Sequence, residues 1–580
     1  MNHAESRIPR PEKRLAILHS IAGWAAAIAW ILLCLRWFED GSEWRPPVLA
    51  AASPSLLFII LFASCALWLK RHWRSLWGST SRSDSVAVLI ACGLAFFFRL
   101  PMAWQGAAGY LTPDGALSGI VSIHLRDGID HLVFIPQVPY SGSLKSHITA
   151  ILAIAIDAPR AFALASTFFY VIFVAGVCRL AGFLDRTVTR NSVLAAGLYV
   201  AVAPPFVTRY SLSNDGNYVE VLAFGTWALV LACLWSQDKA RRPQQALMAG
   251  ILLGLAFWCH ILALFYIVTI GLVLAASGPR AWNSFLRCGF GAALGYFPGL
   301  LWNARHDWLS MSYLLGGKSV GELSHGPGAI KRLALLFREQ LPILMGYEPI
   351  DPRWLDGLRL AIAWLALASV AFALGCAVIR AWRGSRPDRV LIVFTTANIV
   401  ICVSALPHIP GIPRYILFLT APFAVLLATT FGGSRARIGL LALVLYGALG
   451  SWALWPAARD RDQARRQLAS GLELLGVRHC YTDFSLAPLI NFLSEERVIC
   501  TAKLGPTTTE YFFEHRQAVE DASEAAFVPI NLAAAAKLER RLARLGVSYQ
   551  RTDLTRPVIY RLSRKVDPKE LFPHRRFPLR

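Results

Sequence analysis

A run of roughly 17 to 25 apolar residues with few charges leaves a chain little choice, because only a helix satisfies its own backbone inside a bilayer. This chain has about thirteen such runs, at 15–35, 52–69, 86–104, 161–181, 192–207, 219–235, 246–258, 262–276, 286–302, 358–379, 390–406, 416–431 and 438–455. The seventh and eighth are short and share one apolar stretch, divided at Cys259-His260. Of 580 residues, 55% are hydrophobic and 16% charged, more apolar surface than a soluble domain hides from water. The expectation is an all-α polytopic membrane bundle.

The net charge of +22 does not point to nucleic acid, since no basic helix or aromatic-basic platform is present. The cations fall instead in short clusters between apolar runs. Arg7, Arg10, Lys13 and Arg14 precede the first run; Lys70, Arg71, Arg74 and Arg82 follow the second; Lys239, Arg241 and Arg242 follow the sixth. Arg380, Arg383, Arg386 and Arg389 separate the tenth and eleventh, and Arg435 and Arg437 precede the last. By the positive-inside rule these loops are cytoplasmic, with the N-terminus. The loops at 105–160, 208–218 and 303–357, and the chain after 455, then lie outside, as in a bacterial inner-membrane protein with a periplasmic C-terminal domain. The run at 15–35 lacks a small-residue cleavage site and is read as a retained span.

Four units follow: a two-helix membrane prefix at 1–84, a membrane module at 85–455, a small extracytoplasmic α/β domain at 456–563 and a basic tail at 564–580 read as disordered. The α/β assignment rests on short strand-like and helix-like segments in alternation: VRHCYTDF, LAPLINFLSEE, RVICTAK, AFVPI, a helical run at 532–545, VSYQRTDL and VIYRL. Of the 11 cysteines, only Cys480 and Cys500 fall in this domain, where a disulfide and two free thiols are both open.

The outer loops carry the chemistry. The first, YLTPDGALSGIVSIHLRDGIDHLVFIPQVPYSGSLK, holds Asp114 beside a bilayer, where a carboxylate is costly unless it has a partner or a task. SLKSHITAILAIAID, with Lys145, is too short to span and reads as a helix lying in the outer interface. The second acidic loop, RYSLSNDGNYVEVL, holds Asp215 and Glu220, with Asn214, Gly216 and Asn217 supplying turn chemistry. Arg414 and Tyr415 stand at the outer mouth of the twelfth run. Two acidic loops and two cations on one face suit transfer of a group from a phosphate: the carboxylates activate an acceptor, the cations stabilise the leaving group. His260 and Tyr140 are candidate substrate-binding groups on that face.

Taken together, TPDGALSGI, PYSGSLKSHITAIL, NDGNYVEVLAFG, GILLGLAFWCHILAL, GYFPGLLWNARHDWLS, PRYILFLTAPF and LGVRHCYTDFSLAPLINFLSEERVI resemble, in order and sidedness over about 480 residues, the bacterial GT-C glycosyltransferases. That group is related to protein mannosyltransferases and lipid A aminoarabinose transferase. The resemblance implies an inverting transferase that takes a sugar from a polyprenyl-phosphate donor to an extracytoplasmic glycolipid, polysaccharide or protein. Asp114 would be catalytic, with Glu220 or Asp215 as the second acidic position, and Lys145, Arg414 and Tyr415 on the donor phosphate. A divalent cation, Mg²⁺ or Mn²⁺, would sit on Asp114 and Glu220. Where related chains carry Asp-Glu or Asp-Asp in the first loop, this one has Asp114-Gly115, so a metal-independent mechanism stays open. The prefix at 1–84 is additional to the simplest family layout.

Plainer roles are available to the same residues. Asp114 could cap a helix, Asp215 could only form its turn, Lys145 could snorkel to headgroups, and His306 and Asp307 could pack their loop. A transporter or lipid flippase is the competing class; it would show broken helices and ionisable groups deep in the bundle.

Overall fold

The computed structural model describes residues 82–129, 132–184, 191–237, 243–277, 282–314, 328–348, 353–404, 413–433, 437–504, 510–553 and 558–571, with scattered positions between 22 and 64. The first two apolar runs, most of the expected cytoplasmic arginine clusters and the Gly-rich part of the 303–357 loop lie outside these residues.

Every apolar run from 86 onward falls on helix. The membrane bundle begins with α1 (Arg82–Gln105), α2 (Ala107–Tyr110) and α3 (Pro113–Asp127), the last carrying Asp114. A hairpin of β1 (Phe134–Ile135) and β2 (Val138–Gly142) leads to α4 (Leu144–Leu152) and the long α5 (Ala158–Leu184). There follow α6 (Asn191–Ala201), α7 (Pro205–Ser213), α8 (Tyr218–Gln237), α9 (Pro243–Cys259), α10 (Leu264–Ala275), α11 (Trp282–Gly295) and α12 (Phe297–Arg305). The bundle closes with α13 (Asp356–Trp382), α14 (Arg386–Ser404), α15 (Thr420–Phe431) and α16 (Arg437–Leu474). Among the described residues six helices are long and apolar enough to cross a membrane, or seven if the bent pair α6 and α7 is one span. The chain is a multi-pass membrane protein.

The run at 192–207 is not one straight helix. It breaks at Pro204-Pro205, and α6 and α7 meet at 69°. Pro205 has no N–H, so the Ala201 carbonyl loses its helical partner. Arg99 of α1 supplies one: its Nη1 donates to Ala201 O at 2.6 Å, and its Nε to Ser211 Oγ at 2.6 Å. The guanidinium is wholly buried, 3.9 Å from the centroid of the Tyr170 ring. Elsewhere the bundle closes by small residues. A Cβ at Gly254 of α9 would stand 2.1 Å from Ala292 O of α11, and one at Gly295 2.2 Å from Ile251 O, so the two backbones touch.

SLKSHITAIL is not an exposed surface helix. It forms α4, packed between α3 and α5, with Leu144, Lys145, Ser146, His147, Thr149 and Ala150 buried. Its polar residues find internal partners, such as Ser146 Oγ on Ser118 O, so an apolar face alone did not decide its place.

Beyond the bundle lies a five-stranded sheet in the order β4-β3-β5-β7-β6. Its strands and flanking helices are β3 (His479–Thr482), α17 (Ala487–Leu493), β4 (Ile499–Ala502), α18 (Phe513–Asp521), β5 (Ala526–Phe527), α19 (Leu532–Arg544), β6 (Tyr549–Asp553) and β7 (Val558–Leu562). β3 runs parallel to β4 and β5, while β7 is antiparallel to β5 and β6. Cys480 and Cys500, opposite each other on β3 and β4, are disulfide-bonded. α16 runs unbroken through Pro456 from the bundle into this domain. The stretch after 563 contributes a further short helix, Pro568–Leu571.

Candidate active site

Asp114 is not the cap of α3. Thr112 is: its backbone is extended and its Oγ1 accepts from Gly115 N at 3.2 Å, with Pro113 opening the helix. Asp114 sits in the first turn, where the helix dipole favours a negative charge, and its side chain is free to reach outward. It meets Arg414, whose Nη1 lies 3.2 Å from Asp114 Oδ2. Both groups are open to solvent in part, 44% for Asp114 and 23% for Arg414. The Arg414 guanidinium lies 5.9 Å from the Tyr218 ring centroid and 5.5 Å from that of Tyr415, and its buried Nε has no partner among the described residues.

The second acidic loop abuts this pair. A Cβ on Gly115 would stand 3.2 Å from Ser213 O, so the first turn of α3 lies against the end of α7. Asp215 is 9% exposed, with Oδ1 buried and unpartnered. Burial raises its pKa, the neighbouring Thr112 and Ser213 hydroxyls oppose that, and the negative charge of Asp114 adds to the rise.

Lys145 and Glu220 form a separate layer beneath, both 0% exposed. Asn214 joins them. Its Nδ2 lies 2.8 and 2.7 Å from the two Glu220 oxygens, while its carbonyl accepts from Lys145 Nζ at 2.9 Å. Lys145 also faces the Phe162 ring at 3.7 Å. Burial pulls its ammonium down to about 8, with Glu220 and Asp215 acting against that shift. Asn214 holds this position in the left-handed region, φ 42, with Oδ1 accepting from Val219 N.

Aromatic rings wall the space alongside. Tyr140 stacks on Tyr313 at 4.4 Å and meets His260 edge-on at 5.4 Å; His260 meets Tyr218 at 5.2 Å. His260 Nδ1 accepts from Leu262 N, capping the short turn between α9 and α10. Asn217 of the second acidic loop donates to Gly142 O and lies 3.0 Å from Ser141 Oγ, stitching that loop to β2. His306 stacks on Trp302 at 4.0 Å, and its Nδ1 donates to Trp302 O at 2.8 Å, within the same segment.

Sequence reasoning thus singled out residues that fall into two groups. Asp114, Arg414, Tyr415 and Asp215 adjoin, with Tyr140 and His260 along the wall; Lys145 and Glu220 are spent on each other through Asn214. It missed Tyr218 and Tyr313, whose types carry no signal, gave Asp114 the capping role that the TPD pattern holds for Thr112, and missed the side-chain roles of Asn214 and Asn217, of which the turn-forming pattern NDGN was the visible sign.

The chain is thus a polytopic helical bundle with acidic and basic side chains gathered at one site and a small appended α/β domain. Sequence comparison finds no matching family model and no matching curated protein. Among solved structures the chain resembles ArnT from Cupriavidus metallidurans. The form bound to undecaprenyl phosphate superimposes with a TM-score of 0.52 at 12% identity, over 80% of this chain and 97% of that one. The apo form gives 0.53 at 13% identity, with the same coverage. A looser likeness, TM-score 0.44 at 12% identity over 82% and 72% of the two chains, is to an Archaeoglobus fulgidus oligosaccharyltransferase solved with Zn and sulfate. At these identities the ArnT comparison defines the fold.

Proposed function

We propose that this protein is a membrane glycosyltransferase that moves a sugar from a polyprenyl-phosphate donor to an acceptor on the extracytoplasmic side of a bacterial inner membrane. The observation that carries the reading is the Asp114–Arg414 pair, part-exposed and flanked by aromatic rings, on a fold shared with a protein crystallised with undecaprenyl phosphate. Asp114 takes the proton of the acceptor hydroxyl as its oxygen attacks the anomeric carbon. The carbon–oxygen bond to the donor phosphate breaks, and its electron pair leaves on a phosphate oxygen. Arg414, freed from Asp114 as donor binds, stabilises that oxyanion through its forked N–H groups. A single displacement inverts the anomeric carbon. Tyr140 and Tyr313 offer ring faces to the sugar.

The Asp114 and Glu220 pairing does not suit a divalent cation. Both Glu220 oxygens already accept from Asn214, and the nearest positive charge to Asp114 is a guanidinium. No step here passes through a metal.

Asp114→Asn tests the reading. Loss of a general base lowers transfer about 100- to 10,000-fold, while a part-exposed ion pair contributes less than about 1 kcal/mol to stability. Purified variant protein with unchanged thermal unfolding and unchanged transfer to acceptor would remove Asp114 as the base, and a parent protein that transfers no sugar would sink the assignment. The flippase alternative gains from one observation, the 69° break between α6 and α7 with buried Arg99 beside it. Arg99, however, directs Nε and Nη1 to the break, at Ser211 Oγ and Ala201 O. Lipid translocation by vesicles of the Asp114→Asn protein, without sugar transfer by the parent, would favour the alternative.

A further inference from the structure

The C-terminal domain grips the helix that carries Asp114. Beyond the active site, α3 presents His124 and Arg126 to a tight turn at Glu495-Glu496, where both residues hold left-handed backbone, φ 49 and φ 59. Neither is glycine, and such a turn persists only where its surroundings dictate it. Arg126 Nη1 bonds Glu495 Oε2 at 3.0 Å; His124 Nε2 lies 2.9 Å from each oxygen of Glu496; His515 Nε2 of α18 lies 2.5 Å from Oε1 of the same carboxylate.

Two imidazoles and a carboxylate with ligand atoms within 4.8 Å of one another match the spacing of a cation site. The tautomer argues otherwise. Asn491 Oδ1 accepts from Cys500 N at 2.7 Å and its Nδ2 donates to Cys500 O at 3.0 Å, which fixes the amide. The other Nδ2 hydrogen faces His515 Nδ1 at 3.1 Å, so that nitrogen accepts and the ring proton sits on Nε2. A metal would need the Nε2 lone pair that this proton occupies.

We infer that His124, Glu496 and His515 form a proton-set clamp, two ring N–H donors on one carboxylate, by which the C-terminal domain positions the helix bearing Asp114. Glu496 and its histidines are positioning residues for the transfer proposed above, on which the activity part of the inference rests. The surrounding charges leave the clamp intact: Arg126 pairs with Asp127 and Glu495, Arg497 turns away to Glu473, and Glu510 hydrogen-bonds Thr501 on the far side of His515. Burial raises the Glu496 carboxyl, but the hydrogen bonds from His124 and His515 outweigh that and hold it at about 2. Its contribution to folding is therefore complete above the ordinary glutamate range and disappears only as pH falls through about 2.

The test uses the full chain in lipid nanodiscs and hydrogen exchange over 113–127, a readout that needs no activity. Glu496→Ala should raise exchange there about tenfold while leaving 158–184 unchanged, and Glu496→Gln, which keeps an acceptor oxygen, should restore much of the protection. Retention of the Cys480–Cys500 disulfide in each variant shows that the domain has folded. Protection at 113–127 should survive a chelator and a change from pH 8 to about 5, where a histidine-held metal is lost. One equivalent of zinc in the purified protein, with protection lost to the chelator, would overturn the clamp; so would unchanged exchange in Glu496→Ala. If exchange responds as expected but the parent protein transfers no sugar, the clamp stands and the transferase reading falls.

Discussion

Lys145 and Glu220 are opposite charges, both fully buried, and their worth depends on staying together. Removing one leaves the other buried and unbalanced, which costs about 3–5 kcal/mol. Lys145→Ala should therefore lower the thermal midpoint sharply, whereas Lys145→Met with Glu220→Gln should recover most of the loss, as read by unfolding in detergent. A pair whose members bind donor phosphate directly would show lost turnover at unchanged stability instead. The sequence made these residues visible because charges are rare near apolar runs, and it made Asp114 and Arg414 visible for the same reason. It could not separate the part-exposed pair from the buried one, since that depends on which loop lies over which. Arg99 carried the same signal, being the only charge in the run at 86–104, and two of its partners, Ala201 O and Ser211 Oγ, lie more than a hundred residues away.

At the level of elements, the break between α6 and α7 is held open by chemistry from a third helix. Arg99→Met keeps the length of the side chain and removes its donors, so Ala201 O loses its partner. An unmet buried acceptor costs about 1–3 kcal/mol. The expected outcome is a lowered midpoint, with faster exchange confined to 201–213; an unchanged profile would mean that the prolines alone hold the bend. Most elements were legible: hydrophobic runs marked the spans, the division at Cys259-His260 is where α9 ends, and each strand-like segment of the last domain contains a strand. The bend at Pro204-Pro205 could be read from the two prolines, but its angle could not. Helix α18 escaped notice because FEHRQAVED shows few apolar positions; it buries only His515 and Val519. The burial of α4 was hidden because its cover, α3, comes from a loop that reads as polar.

Across the whole molecule, α16 is the strut. Its 38 residues extend roughly 57 Å at 1.5 Å per residue, more than the roughly 30 Å hydrocarbon core requires, and the remainder enters the C-terminal domain. That domain is pinned internally by Cys480–Cys500, 20 residues apart, and closing such a loop restricts the unfolded chain by about 3 kcal/mol. Reduction, or Cys480→Ala with Cys500→Ala, should destabilise the domain by that order while leaving the bundle's own transition in place, a split visible by calorimetry. A single shared transition would show that the two parts unfold together.

The strut also fixes when the pocket can exist. Arg465 Nη1 bonds Leu111 O at 2.6 Å, and Asp462 Oδ1 accepts from Ala108 N at 2.7 Å, so the chain just ahead of Asp114 is fastened by residues made some 354 positions later. At roughly 5–20 residues per second, a ribosome needs on the order of 20–70 s to make that interval. Until then the segment just ahead of Asp114 lacks both of these fasteners and is held only by its contacts with the helices already made.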